Sequence, residues 1–141
     1  MTRILIILIS TFGLFSSAKA DTIDYWHVYY DNIKIKEYNQ YSKGEIVLKI
    51  KDIKNTDSLS IKYFRDTPCD KCETKVAIEN GRHFVITSGK GLGTFNPINI
   101  SVYDLFQYHL KADKEVYEVF YHEGQITSRT QRVLIFRIKL E

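Results

Sequence analysis

From Asp24 onward, apolar residues recur at every second position in short runs broken by turn residues. That period of two restricts the chain to β-structure, because successive side chains of a strand point to opposite faces. Glu45–Ile53 is the clearest run: Ile46, Leu48 and Ile50 fall on one face, Val47, Lys49 and Lys51 on the other. Tyr25–Tyr30 and Ile33–Tyr38 read as strands joined by Asp31-Asn32, a two-residue hairpin turn. Leu59–Arg65 follows, with Leu59, Ile61 and Tyr63 on one side. Lys75–Glu79 and His83–Thr87 flank Asn80-Gly81, the strongest hairpin signal in the chain. Ser88–Asn96 reads as a glycine-rich loop and Ile98–Val102 as a short strand. Val116–His122 and Thr127–Leu140 complete the pattern, the last with Leu134, Phe136, Ile138 and Leu140 on one face.

One segment breaks the alternation. Val102, Leu105, Phe106 and Leu110 recur at helical spacing, and Ser101 with Asp104 makes a weak capping box, so one short helix is expected near 102–111. The expected fold is mainly β: an antiparallel β-sandwich of immunoglobulin-like or jelly-roll type, with a barrel as the alternative.

The N-terminus has a different character. Arg3 precedes a mostly apolar stretch, Ile4–Phe15, and Ser16-Ser17-Ala18-Lys19-Ala20 ends in small residues. This order predicts a secretory signal peptide over residues 1–20, cleaved after Ala20, and a single β-sandwich domain over 21–141. The apolar stretch is shorter than the roughly 20 residues of a permanent span, so no transmembrane anchor is expected after cleavage. Secretion or a periplasmic location follows as an expectation. The formal charge of +3 includes Arg3 and Lys19, which would leave with the leader. The remaining lysines are interspersed with apolar residues, as on solvated strand faces, so nucleic acid is not an expected partner. With 7 glycines, 2 prolines and no low-complexity tract, the domain has the composition of a folded one.

Cys69 and Cys72 are the only cysteines and form one Cys-x-x-Cys. In an oxidising compartment, with no other thiol to pair with, a local disulfide is expected. A redox reading needs a helix N-terminus or a cation to lower the thiol pKa. Here Glu73–Ile78 reads as a strand, and Asp70 and Glu73 oppose ionisation. A zinc reading needs further ligands, and His27, His83, His109 and His122 are scattered. No metal or cofactor is expected.

Tyr25-Trp26-His27-Val28-Tyr29-Tyr30 offers the other candidate site. Strand alternation puts Tyr25, His27 and Tyr29 on one face and Trp26, Val28 and Tyr30 on the other, with the Trp26 set expected in the core. Planar rings beside polar groups suit sugar faces or a protein partner. Ser88–Thr94 matches neither the P-loop nor the dinucleotide fingerprint. His122-Glu123, Asp66 and Asp70 sit in no known catalytic motif, and no catalytic residue is assigned.

The expected function is an exported non-catalytic binding or interaction module, for carbohydrate or a cell-envelope protein. Two alternatives accompany it: a small exported thiol–disulfide oxidoreductase using Cys69 and Cys72, and an envelope subunit assembling through a sheet edge, with Thr127–Leu140 as the strand to disrupt.

Overall fold

A computed structural model describes residues 23–112, 114–124 and 131–141. The leader expected over 1–20 and the start of the last strand at 127–130 lie outside those residues. The described chain is mainly β, with two sheets and one short helix, consistent with a β-sandwich. In chain order the elements are β1 (Tyr25–Tyr30), β2 (Ile33–Asn39), β3 (Glu45–Leu48), a 3₁₀ turn (Ile50–Asp52), β4 (Ser58–Phe64), β5 (Glu73–Glu79), β6 (Val85–Leu92), β7 (Ile98–Ser101), α1 (Val102–His109), β8 (Val116–Gly124) and β9 (Gln131–Leu140). One sheet has the order β2-β1-β4-β7 and the other β3-β9-β8-β5-β6. Among the described residues no helix is long and apolar enough to cross a membrane.

The alternation places the core. Trp26, Val28, Leu59, Ile61 and Tyr63 of the first sheet meet Val76, Ile78, Val119, Tyr121, Phe136 and Ile138 of the second, all buried. Burying such side chains contributes about 1.5–3 kcal/mol each. Trp26 stacks on Tyr63 with ring centroids 5.0 Å apart, and Tyr63 meets Tyr121 at 4.8 Å, which joins the two sheets through aromatic contact. The β1–β2 turn forms as expected: Asp31 (φ 46°) and Asn32 (φ 68°) both take the left-handed conformation of a tight hairpin turn. In α1, Ser101 Oγ accepts from the Asp104 amide at 3.1 Å, which caps the helix. Val102 and Leu105 are buried, whereas Leu110, past the last helical turn, is exposed.

Five expectations need correction. First, the sandwich is not wholly antiparallel: β3 pairs with β9 in parallel, because the chain leaves the first sheet after β2 and joins the far edge of the second in the direction of β9. Second, the Glu45–Ile53 strand stops at Leu48, whose partner is Leu140 at the end of β9. With no ladder left to extend, the chain turns, and the Ile50 amide donates to the Glu141 carbonyl at 2.8 Å.

Third, the hairpin signalled by Asn80-Gly81 forms, with β5 antiparallel to β6, but its second strand begins at Val85 rather than His83. The loop closes from Asn80 to Phe84, His83 takes the positive φ, and Asn80 Oδ1 accepts from the amides of Arg82 (2.9 Å) and Phe84 (3.0 Å). Local side-chain hydrogen bonding lengthens the loop by holding residues 82–84 out of the strand. Fourth, Ser88–Leu92 is strand, not loop. A Cβ on Gly89 would lie 2.1 Å from the Asn99 carbonyl oxygen and one on Gly91 2.8 Å from Thr74 Oγ1, so these glycines admit the close approach of neighbouring backbone and side chains. Fifth, the β8–β9 register shifts between Val119 and Phe120, leaving Ile135 as an extra residue on β9. Ile135 and Phe136 are both buried, and Leu134 falls off the core face expected for it.

Candidate functional site

The outer face of the four-stranded sheet carries Tyr25, His27 and Tyr29, opposite the buried Trp26 and Val28, as alternation predicts. Register turns this stripe into a grid. Across β2, β1 and β4 the rows are Asn39–Tyr25–Phe64, Glu37–His27–Lys62 and Lys34–Tyr29–Ser60. Tyr25 stacks on Phe64 with centroids 5.0 Å apart and planes 6° from parallel. His27 sits 4.5 Å from the same ring. His27 Nε2 faces the Glu37 carboxylate at 2.9 Å, and Lys62 Nζ lies 5.3 Å from the centre of the Tyr29 ring. The Lys34 ammonium, hydrogen-bonded to Glu37 at 2.8 Å, holds that carboxyl below its ordinary pKa, so it is a carboxylate at neutral pH.

At one end the grid opens into a shallow cavity of about 270 Å³ lined by Ile23, Tyr25, Phe64, Arg65, Asp66 and Phe95. Phe95 is exposed, packs 5.5 Å from Phe64, and holds a left-handed backbone (φ 68°) that bulky residues seldom adopt. Its amide donates to the Tyr63 carbonyl at 2.9 Å, which fixes the ring beside the sheet. Glu37, Lys62, Phe64 and Phe95 were missed in the sequence. A regular hairpin about Asp31-Asn32 places Lys36 opposite His27, but a bulge at Ile35 sets Glu37 there instead. Nothing local in the sequence marks Phe64 or Phe95 as neighbours of Tyr25.

A disulfide joins Cys69 and Cys72 in the loop between β4 and β5. Cys72 is buried and Cys69 half-buried. Backbone bonds pin this loop to the one after β6: the Gly93 amide donates to the Cys72 carbonyl and the Thr94 amide to the Cys69 carbonyl, each at 2.8 Å. Gly93 adopts φ +75°, and a Cβ there would press on the carbonyls of Cys69 and Asp70. Beneath the pair lies Glu123, 2% exposed, with Oε1 2.7 Å from Arg65 Nη1 and Oε2 accepting from the Tyr121 hydroxyl at 3.1 Å. Burial, and then the adjacent Glu123 charge, push the Tyr121 hydroxyl well above its usual pKa, so it remains a donor to that carboxylate.

This arrangement bears on the chemistry of the cysteines. The two sulfurs and a Glu123 oxygen lie within 4.8 Å of one another. A carboxylate this close disfavours a thiolate, the form that attacks disulfides. No helix begins at Cys72 either, since β5 follows it. The same three residues could supply a trigonal part of a metal shell only after reduction, and Glu123 would have to leave Arg65 and Tyr121. The local chemistry favours a staple. His122 and Glu123 point to opposite faces of β8, His122 outward and Glu123 inward, so they do not form an acid–base pair. Asp66 and Asp70 are exposed.

Two outcomes are expected. Glu123→Gln removes one member of a buried charge pair and leaves Arg65 uncompensated, which costs about 3 kcal/mol in a denaturant titration; a loss under ~1 kcal/mol contradicts the pair's structural role. Thiol alkylation in defined redox buffers places the Cys69–Cys72 potential below roughly −300 mV, the range of structural disulfides. A value near −200 mV, as in roughly the catalytic range, revives the oxidoreductase alternative.

Comparisons with protein-family models, with curated proteins and with solved structures each found no match.

Proposed function

We propose that the protein is an exported, non-catalytic binding module that takes carbohydrate on the outer face of its four-stranded sheet. The observation that carries this reading is the in-register grid in which Tyr25, His27, Tyr29 and Phe64 alternate with Glu37, Lys34 and Lys62. Sugar rings present apolar C–H faces and equatorial hydroxyls. A platform that offers ring faces and charged hydrogen-bonding groups at strand spacing complements both. The side chains are held before any ligand arrives: Tyr25 by stacking on Phe64, and His27 by Glu37. Preorganisation of this kind lowers the entropic cost of binding. The strained backbone at Phe95 supports the same reading, since such strain of about 1–3 kcal/mol persists where surrounding structure enforces it, often at binding sites.

Assembly through a sheet edge is a second reading with its own observation. A groove of about 640 Å³ runs between β2 and β3, with exposed Ile33 and Val47 along it. The strand to disrupt is not the one expected. β9 lies inside its sheet between β3 and β8, so proline there would break the fold; β2 and β3 are the edges beside the groove.

The test is a binding screen against neutral pyranose oligosaccharides by calorimetry, with Tyr25→Ala and Tyr29→Ala checked for folding by circular dichroism. Loss of one ring contact is expected to cost about 1.5 kcal/mol, close to tenfold in Kd. Glycan binding that is unchanged in both variants would overturn the assignment of the face. Failure of the wild type to bind any oligosaccharide at millimolar concentration would overturn the carbohydrate reading.

A further inference from the structure

The opposite sheet carries a row of basic residues that the sequence hides. Lys90 of β6 pairs with Lys75 of β5, Lys75 with His122 of β8, and His122 with Arg132 of β9. The residues before or after them, Val76, Tyr121 and Val133, pack on the core, so all four face outward on the same side. At about 4.8 Å between strands, the row is about 14 Å long. In sequence these residues are scattered over positions 75–132; only the strand register aligns them.

Like charges directly opposite one another in a sheet are destabilising, and among the described residues nothing offsets the Lys75–Lys90 pair. Glu79 is buried beside one end, with Arg132 Nη2 at 2.6 Å and His83 Nδ1 at 3.4 Å. Arg132 also lies over the Phe120 ring, 3.6 Å from its centre. Among the described residues no carboxylate pairs with Lys75 or Lys90. His122 Nε2 is buried, 4.0 Å from the Glu79 carboxylate, and finds no hydrogen-bond partner among the described residues. Beside the row is a cavity of about 560 Å³ lined by Lys75, Lys90, His122, Leu92, Gly124 and Glu73, among others. Desolvation, and then the nearby Lys75 charge, depress the His122 pKa, so the imidazole is largely neutral at pH 7 and able to donate a hydrogen bond.

We propose that this row binds a linear acidic carbohydrate, carboxylated or sulfated, lying across the strands with its acidic groups against Lys90, Lys75, His122 and Arg132. The positive strip is one side chain wide. Ser88, Ala77 and Phe120 border it on one side and Glu73 on the other. Phe120 is buried under Arg132 and offers no ring on which a base could stack. A single thread of charge fits that surface better than a nucleic acid, which needs stacking platforms or a broad basic face. The site is independent of the Tyr25 face, which lies on the other sheet.

The test uses polygalacturonate and dextran sulfate as probes, with neutral dextran and a single-stranded oligothymidylate for comparison. The wild type is expected to bind one or both acidic glycans, with affinity falling as salt rises. Lys75→Gln with Lys90→Gln is expected to weaken binding about tenfold or more and to lower the slope of log K against log salt by roughly one per lysine removed. Lys75→Arg with Lys90→Arg retains binding. Lys49→Gln with Lys51→Gln removes the same net charge away from the row and leaves binding unchanged. Equal losses in the Lys49/Lys51 and Lys75/Lys90 variants would reduce the effect to net charge and overturn the site. Tighter binding of oligothymidylate than of either glycan overturns the ligand class, and no binding of any polyanion overturns the proposal. Preference between the two acidic probes identifies carboxylate or sulfate as the recognised group.

Discussion

The Arg65–Glu123 ion pair ties one end of the molecule together. Arg65 extends β4 of the first sheet, Glu123 sits near the end of β8 in the second, and the two meet at 2.7 Å beneath the Cys69–Cys72 loop. A carboxylate buried this deeply is tolerable only when paired and hydrogen-bonded. Arg65 and the Tyr121 hydroxyl meet that demand. Tyr121 in turn packs on Tyr63, whose hydroxyl donates to Asp24 at 2.7 Å just ahead of β1. The disulfide loop closes over this cluster and is pinned to Gly93 and Thr94, which leads the chain to Phe95 beside Phe64. The end of the aromatic grid therefore inherits its geometry from a buried charge pair.

The two outer faces differ in kind. On the four-stranded sheet, Tyr25, His27, Tyr29 and Phe64 are rings braced by Glu37 and Lys62. On the five-stranded sheet, the residues at corresponding outward positions are Lys90, Lys75, His122 and Arg132. A sandwich whose faces are chemically distinct can engage two kinds of surface without any moving part. Lysines at Lys34, Lys36 and Lys49 also flank the edge strands and oppose edge-to-edge pairing.

What was legible in the sequence was local. Alternation separated Trp26 from Tyr25, the Asp31-Asn32 pair set its own turn, and Ser101 capped its own helix, because each depends on neighbours a few residues away. The failures have a common cause. The bulges at Ile35 and Ile135 are set by the partner strand, and each moves every side chain beyond it relative to its neighbours. The parallel approach of β3, the strand character of Ser88–Leu92 and the pairing of Arg65 with Glu123 arise from contacts between segments distant in sequence. The basic row is the extreme case, for it exists only once four strands are in register. The hairpin at Asn80-Gly81 was legible too, but its second strand starts late because the Asn80 side chain bonds the amides of Arg82 and Phe84 and lengthens the loop.

The most direct test is nuclear magnetic resonance mapping of a neutral oligosaccharide onto the protein, reading aromatic ¹H–¹³C signals and backbone amides together. Saturable shifts are expected at Tyr25, His27, Tyr29 and Phe64, with the Lys75 and His122 amides unmoved. Shifts confined to the β2–β3 groove or to the five-stranded sheet, with the Tyr25 and Tyr29 rings unchanged, would contradict that expectation.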